Sequence, residues 1–278
     1  MQNVNTSEIS ENAHEKNSRG KIAFSKRNIR RRSVKAREVV MIAIMSAITV
    51  IGNLLSFPVL PIQAGTGMVI IAGIAFGPLA GIIIGMLSRF IVNFFTGQGV
   101  WTIWQMCCWG LLGGIAGAVF SKIDIEAPRS RDFKVLVGPV TAVALMEVIA
   151  YISFLIWPGG EETFLGWRLY VFGFIGLVIG AIIQRKRMPA DDITLAVFTF
   201  MVVFIIYGGI MNLGTMFMST MSAADLSLDA LRALYVTGAP FDLWHALRAA
   251  IFVFIFGNKL LVKLERVKIK YGFYRVHI

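Results

Sequence analysis

Residues 193–213 read ITLAVFTFMVVFIIYGGIMNL, a run of twenty-one residues without a charged side chain. An α-helix rises about 1.5 Å per residue, so a run of this length crosses the roughly 30 Å hydrocarbon core of a bilayer. Seven further stretches are mostly apolar: 38–56, 67–77, 79–95, 104–120, 135–157, 166–184 and 241–261. The sequence therefore predicts an all-α membrane protein with about eight apolar segments.

Positive charges are concentrated in the connections on one side of the membrane that these segments are predicted to cross. Lys and Arg cluster before the first stretch and after the fourth, sixth and last, whereas the opposite connections carry only Arg168 and Arg232 among acidic residues. Short loops rich in Lys and Arg stay in the cytoplasm. We therefore expect both termini to be cytoplasmic, in a bacterial-type plasma membrane. The net charge of +11 has the same origin, which favours contact with membrane lipid and no nucleic-acid partner.

Two parts of the chain depart from the pattern of simple spans. Residues 1–35 are polar and basic, and such a segment cannot bury enough apolar surface to offset its ordering entropy. We predict a disordered cytoplasmic tail there, followed by one transmembrane domain at 36–278. Segment 214–240 mixes apolar, small and acidic residues, which indicates a short helix, either a gating lid over the bundle or a surface connector.

The stretch 67–77 is too short to span a bilayer comfortably, and the Gly77-Pro78 step interrupts the pattern. Proline suits the first turn of a helix, so Pro78 is expected to begin the next one. The pair 67–77 and 79–95 either spans twice or dips and returns. A short helix at membrane depth is tolerated only where protein or a cavity covers its backbone. We predict that this region is covered in that way.

Polar and aromatic residues gather at the helix ends that the charge rule places outside. The segment 94–105, FFTGQGVWTIWQ, is the densest, with indole faces for stacking and amides that donate and accept. Aromatic walls with a few placed polar groups are typical of a small-molecule site. We expect an uncharged, partly aromatic or amphipathic ligand. The candidate contacts are Asn93, Gln98, Trp101, Trp104, Gln105, Asn212, Asp242 and His245.

Ionisable residues lie well inside three of the apolar stretches: Arg89, Glu147 and Arg248. Charged groups are costly in a membrane, so each is a functional candidate. Glu147 either pairs with one of the arginines as an internal strut or takes part in ion coupling. Asp242 and His245 share a helical face, but two residues are too few for a catalytic or metal constellation. Phosphate-loop, HExxH and GxSxG motifs are absent, so we expect no enzyme, metal or cofactor.

Several motifs resemble those of the substrate-binding (S) components of energy-coupling factor (ECF) vitamin transporters. They are AIMSA at 43–47, GIAFGPLAG at 73–81, NFFTGQGVWTIWQ at 93–105, PFDLWHA at 240–246 and LERVKIKYG at 264–272. The resemblance implies a six-helix core that holds its ligand near the outer face. It also implies that Ala43 and Ala47 contact a transmembrane coupling (T) protein carrying two cytosolic ATPases, and that the S component topples in the bilayer to deliver its ligand. The QGVWT pattern at 98–102 is most similar to cobalamin-type members.

One segment departs from that family pattern. Residues 135–184 contain two more apolar stretches, which we interpret as a helical hairpin inserted beyond the six-helix core. Two other functions remain open. One is a stand-alone, ion-coupled secondary transporter working through Arg89, Glu147 and Arg248. The other is an intramembrane enzyme using Asp242 and His245.

Overall fold

A computed structural model describes residues 36–56, 63–120, 134–159, 163–184, 188–220 and 227–271. Each of the eight apolar stretches forms a helix, which confirms the all-α prediction. The first six helices are α1 (Ala36–Ser56), α2 (Ala64–Phe76), α3 (Pro78–Thr96), α4 (Trp101–Val119), α5 (Lys134–Ile156) and α6 (Trp167–Ile183). The predicted tail at 1–35 lies outside the described residues.

The last two helices each contain a π-helical segment. Helix α7 consists of Asp192–Met201, the π-helix Val202–Gly208 and Gly209–Thr220. Helix α8 consists of Leu228–Phe252, the π-helix Val253–Gly257 and Asn258–Lys270. π-Helical turns are rare and are frequently found at functional sites. The one in α7 carries Tyr207 and Gly208, which become important below.

Five helices of the described chain are long and apolar enough to cross a membrane. They are α1, α3, α4, α5 and α7, with candidate spans of 19 to 28 residues. Helices α2 and α6 are apolar but shorter. Many large apolar side chains on these helices are exposed, among them Leu79, Phe90 and Phe94 on α3. Such a surface suits lipid rather than water.

Helix α2 is surrounded by protein. Every residue from Gly65 to Ala75 is buried, in a helix of 13 residues or about 20 Å. The helix packs against α3, α4 and α8. The prediction that protein covers this short segment is confirmed, as is the prediction that Pro78 begins α3.

Helices α2, α3 and α4 approach one another at glycines. A Cβ atom on either Gly73 or Gly81 would meet the carbonyl oxygen of Gly113. A Cβ on Gly85 would meet the backbone of Trp109 in the same way. Lipid supplies no hydrophobic force between helices, so close backbone contact at small residues is what holds such helices together.

The structure differs from the prediction for segment 214–240. Helix α7 continues to Thr220 and α8 already begins at Leu228, so the described parts of this segment extend two long helices. Ser227 caps α8, its Oγ accepting from the Ala230 N–H at 3.0 Å. Tyr235 donates to the Gly209 carbonyl at 3.0 Å, which fixes α8 against α7. These bonds favour paired helices over a helix lying across the bundle.

Helices α5 and α6 pack mainly against each other. Gly176 and Gly180 of α6 face the backbone of α5 at Val143 and Pro139. Helix α6 in turn contacts the π-helical part of α7. That 135–184 is an insertion beyond a six-helix core stays a prediction.

A buried ion pair lies at the C-terminal end of α2. Lys268 of α8 donates from Nζ to the Ala75 carbonyl at 2.6 Å and to Glu265 Oε2 at 2.8 Å. Glu265 is only 3% exposed. The last carbonyls of a helix lack intrahelical donors and attract cations, so Lys268 anchors the end of α8 to α2.

We expect Lys268→Met to destabilise the protein by about 3 kcal/mol, because it leaves the Glu265 carboxylate buried without its cation. Thermal unfolding of the purified protein in detergent measures the loss. Lys263→Met is the matched control, since Lys263 is exposed on the same part of α8. Equal unfolding midpoints for the two variants would contradict the prediction.

Candidate ligand-binding site

The corner between α3 and α4 is held together by side-chain amides. Gly97, with φ of 109°, permits the tight turn. Asn93 is fully buried and donates from Nδ2 to Thr102 Oγ1 at 2.8 Å and to Gln105 Oε1 at 2.9 Å. Gln98 accepts from Thr102 Oγ1 at 3.0 Å. Asn93 and Gln98, both predicted ligand contacts, thus shape this corner.

The two tryptophans of the corner have different surroundings. Trp101 is 42% exposed, and its ring lies over Gly99 of the turn. Trp104 points into the bundle, where it stacks on Phe217 of α7 with ring centroids 5.7 Å apart and covers Gly214. The structure therefore brings Trp104, but not Trp101, between α4 and α7.

A second polar cluster joins α6, α7 and α8. Asp242 Oδ2 accepts from the Tyr170 hydroxyl at 2.7 Å and from Asn212 Nδ2 at 2.8 Å. Gly208 leaves room for this carboxylate, since a Cβ there would lie 2.6 Å from it. Sequence reasoning found Asn212 and Asp242 but missed Tyr170, whose signal was a lone tyrosine inside an apolar stretch. Tyr170 ties the predicted hairpin to α8.

A third contact joins α2, α7 and α8. His245 Nε2 lies 3.0 Å from Thr66 Oγ1, and its ring meets Tyr207 edge-on with centroids 4.5 Å apart. Asp242 and His245 therefore have separate partners, although they share a helical face. Thr66 is fully buried and lies just before the apolar stretch 67–77, where nothing in the sequence indicated its contact with His245.

Arg89 connects the corner with this third contact. Its Nε donates to Gln105 Oε1 at 2.9 Å, and its guanidinium lies over the Trp109 ring, 5.2 Å from the centroid. Its guanidinium also lies near Tyr207 and His245.

The predicted pairing of Glu147 with an arginine is wrong. Glu147 lies against Gly173 of α6, and its Oε2 accepts no hydrogen bond from any described residue. Arg89 is turned toward α4 and α7 instead, because Gln105 and Trp109 offer it an acceptor and a ring face.

Four side chains in this region keep polar atoms that the described chain does not engage. Nε2 of Gln105, the Tyr207 hydroxyl, Nδ1 of His245 and the terminal nitrogens of Arg89 form no hydrogen bond with described residues. All four residues are partly buried. The described residues hold no cluster of three or more His, Cys, Asp or Glu able to bind a metal. The arrangement suits an organic ligand.

We expect Tyr170→Phe to lower stability by about 2 kcal/mol, because a hydrogen bond to a buried charged group typically contributes 1.5–3 kcal/mol. The thermal unfolding midpoint in detergent is the measurement. Tyr151→Phe is the control: Tyr151 is exposed, and its described contact is a ring contact with Phe164. A Tyr170→Phe midpoint no lower than that of the control would show that the Asp242 cluster does not secure α6.

A helical bundle with an apolar exterior and several long apolar helices is typical of a membrane protein. Residues 33–158 match the family model described as "ECF-type riboflavin transporter, S component". No solved structure matches the chain.

The curated relatives of this chain include UPF0397 proteins of Vibrio and Aliivibrio. That of Vibrio atlanticus is 35% identical over 145 residues, covering 50% of this chain and 75% of its own. That of Aliivibrio salmonicida is 30% identical over 152 residues, covering 51% and 76%. That of Aliivibrio fischeri is 31% identical over 115 residues, which cover 38% of this chain and 62% of the relative's own length.

This chain belongs to the family of these UPF0397 proteins, and its residues 33–158 match the model of ECF-type transporter S components. The matched model describes a subunit of a transporter, in agreement with a fold of several long apolar helices. The cobalamin-type similarity receives no support from the matches. The residues of the QGVWT pattern have a structural use instead, because Gln98 and Thr102 bond to each other across the turn.

Proposed function

We propose that this protein is the substrate-specific subunit of an ATP-driven ECF-type importer of a vitamin-like micronutrient. One observation carries the proposal: Arg89, Gln105, Tyr207 and His245 lie near one another on α3, α4, α7 and α8, and each keeps polar atoms without a hydrogen bond to the described chain. By the charge rule, the end of the bundle where α3 meets α4 faces the outside. A ligand bound there is taken from the extracytoplasmic side.

Within this proposal the predicted contacts divide into two groups. Trp104, Gln105 and His245 touch the ligand, and Trp104 offers a ring face for stacking. The others position those groups or lie at the rim of the site: Asn93, Gln98, Trp101, Asn212 and Asp242. Riboflavin, the vitamin in the family description, is the first ligand to test because it presents a flat aromatic system with polar edges. Cobalamin is the second.

The proposed docking surface for the T protein is the exposed face of α1. Ala43 and Ala47 are both exposed, beside the exposed Ile44, whereas Met45 and Ser46 are buried. Small residues in an apolar exposed face allow a partner helix to approach closely. The T protein would bring the two ATPases to this face.

Purification and transport test the proposal together. We expect mass spectrometry of the purified protein to find a bound micronutrient, and riboflavin or cobalamin to quench its tryptophan fluorescence on binding. Liposomes containing the protein, its T protein and the ATPases should accumulate the ligand only with ATP. Accumulation without those partners would contradict the proposal.

One observation favours a second candidate, a secondary transporter. Glu147 Oε2 is buried without a hydrogen bond among the described residues, as a proton-carrying group in a membrane can be. In that case a proton gradient alone would drive uptake by the isolated protein, and Glu147→Gln would stop it. Uptake that needs ATP and is unchanged in Glu147→Gln would eliminate this candidate.

A further inference from the structure

The Arg89 side chain is a cation with unused binding capacity inside the bundle. Only its Nε is hydrogen-bonded, to Gln105 at 2.9 Å, and neither terminal nitrogen donates to a group of the described chain. Guanidinium groups present five N–H donors in a planar fork. Four of the five therefore remain available.

The described chain does not neutralise this charge. Arg89 forms no ion pair with a described carboxylate: Asp242 is bonded to Tyr170 and Asn212, and Glu147 lies against α6. The Trp109 ring under the guanidinium offers only a cation–π contact of roughly 0.5–2 kcal/mol. A charged group at membrane depth normally has a partner or faces a wet cavity.

Arg89 also faces the site rather than the lipid. The exposed residues Leu79, Phe90 and Phe94 form the lipid side of α3. Arg89 is half-buried and turned toward Gln105 and Trp109 of α4. A ligand that reaches Gln105 and His245 therefore meets the guanidinium.

We infer that Arg89 is a ligand contact and that the ligand presents an anionic oxygen group, a carboxylate or a phosphate, to its terminal nitrogens. This inference rests on the proposed function and narrows it: riboflavin carries neither group, so an acidic micronutrient is favoured over it. A planar guanidinium pairs with such oxygens through two parallel hydrogen bonds, which are stronger than neutral ones. The sequence alone favoured an uncharged ligand, because the predicted contacts in 94–105 are amides and indoles.

Three small aromatic probes of similar shape show whether binding depends on a negative charge. Benzoate carries a carboxylate, phenyl phosphate carries a phosphate, and benzamide is the neutral counterpart of benzoate. The full chain in detergent is titrated with each probe, and the thermal unfolding midpoint is followed. The variants are Arg89→Gln, which keeps a donor, and Arg89→Lys, which keeps the charge. Arg266→Gln is the control, since Arg266 is exposed on α8.

We expect at least one anionic probe, and not benzamide, to raise the midpoint of the wild type and of Arg266→Gln. The half-saturating concentration should rise roughly tenfold or more in Arg89→Gln and less in Arg89→Lys. The ratio of benzoate to phenyl phosphate affinities identifies the anion. If Arg89→Gln does not fold, two comparisons still test the inference. One is the affinity of wild type and of Arg89→Lys for the anionic probes, and the other is the response of the wild type to those probes and to benzamide.

Equal stabilisation by benzamide and the anions, no stabilisation by either anion, or an unchanged response in Arg89→Gln would overturn the inference. The outcome is independent of transport. ATP-driven uptake without an anion preference would reject only the inference on Arg89 and would leave the proposed function standing. An anion preference without uptake in the presence of the T protein and ATPases would reject the proposed function instead.

Discussion

Gly113→Ala is expected to destabilise the bundle by about 3 kcal/mol or more, at the upper end of the cost of overpacking a core. A Cβ on Gly113 would lie 2.7 Å from the carbonyl carbon of Gly81. Both partners are backbone atoms, so no side chain can rotate away, and α3 and α4 must separate. Separation would loosen the buried contacts of Trp109 and Leu112. Yield of monodisperse protein in detergent and its unfolding midpoint measure the effect.

Gly138→Ala on α5 is the matched control for Gly113→Ala. Its nearest neighbour would be Ile183 Cγ2 at 3.6 Å, an ordinary van der Waals distance. Alanine is also the better helix former by about 1 kcal/mol, so this variant should unfold at or above the wild-type temperature. A Gly113→Ala protein as stable as Gly138→Ala would mean that α3 and α4 do not approach as closely as described.

Ala43→Trp is expected to reduce ATP-driven uptake to background while ligand binding in detergent and the unfolding midpoint stay at wild-type values. Ala43 is exposed on α1, so a larger side chain there meets no neighbour within the bundle. It would instead hold the T protein's helices away, because close helix packing in membranes requires small residues. Uptake by liposomes containing all partners, measured beside ligand binding, separates the two effects. Ala47→Trp should behave in the same way.

Val148→Trp on α5 controls for bulk on an exposed membrane face, since Val148 is 54% exposed and lies on another helix. This variant should transport normally. Continued uptake by Ala43→Trp would remove the docking proposal. Loss of uptake in Val148→Trp as well would show that any large side chain on the exterior, not a specific face of α1, blocks transport.

Local sequence properties predicted the helices well. The length of the apolar runs predicted eight helices, and the Gly77-Pro78 step predicted where α3 begins. The short length of 67–77 predicted that protein covers it, because an uncovered backbone is not tolerated in lipid. The prediction for segment 214–240 was wrong, because its mixed composition did not show that it contains the end of α7 and the start of α8. Ser227 caps the start of α8, and Tyr235 bonds α8 to α7.

The partners of the polar side chains were decided by the tertiary structure alone. Thr66 and His245 are 179 residues apart, and Tyr170 and Asp242 are 72 apart. Arg89 bonds to Gln105 rather than to Glu147 because of how α3 is rotated against α4. The periodicity of a helix shows which residues share a face, but not which helix that face meets. That choice depends on where glycines let backbones approach, and it brings polar residues from distant parts of the chain into contact.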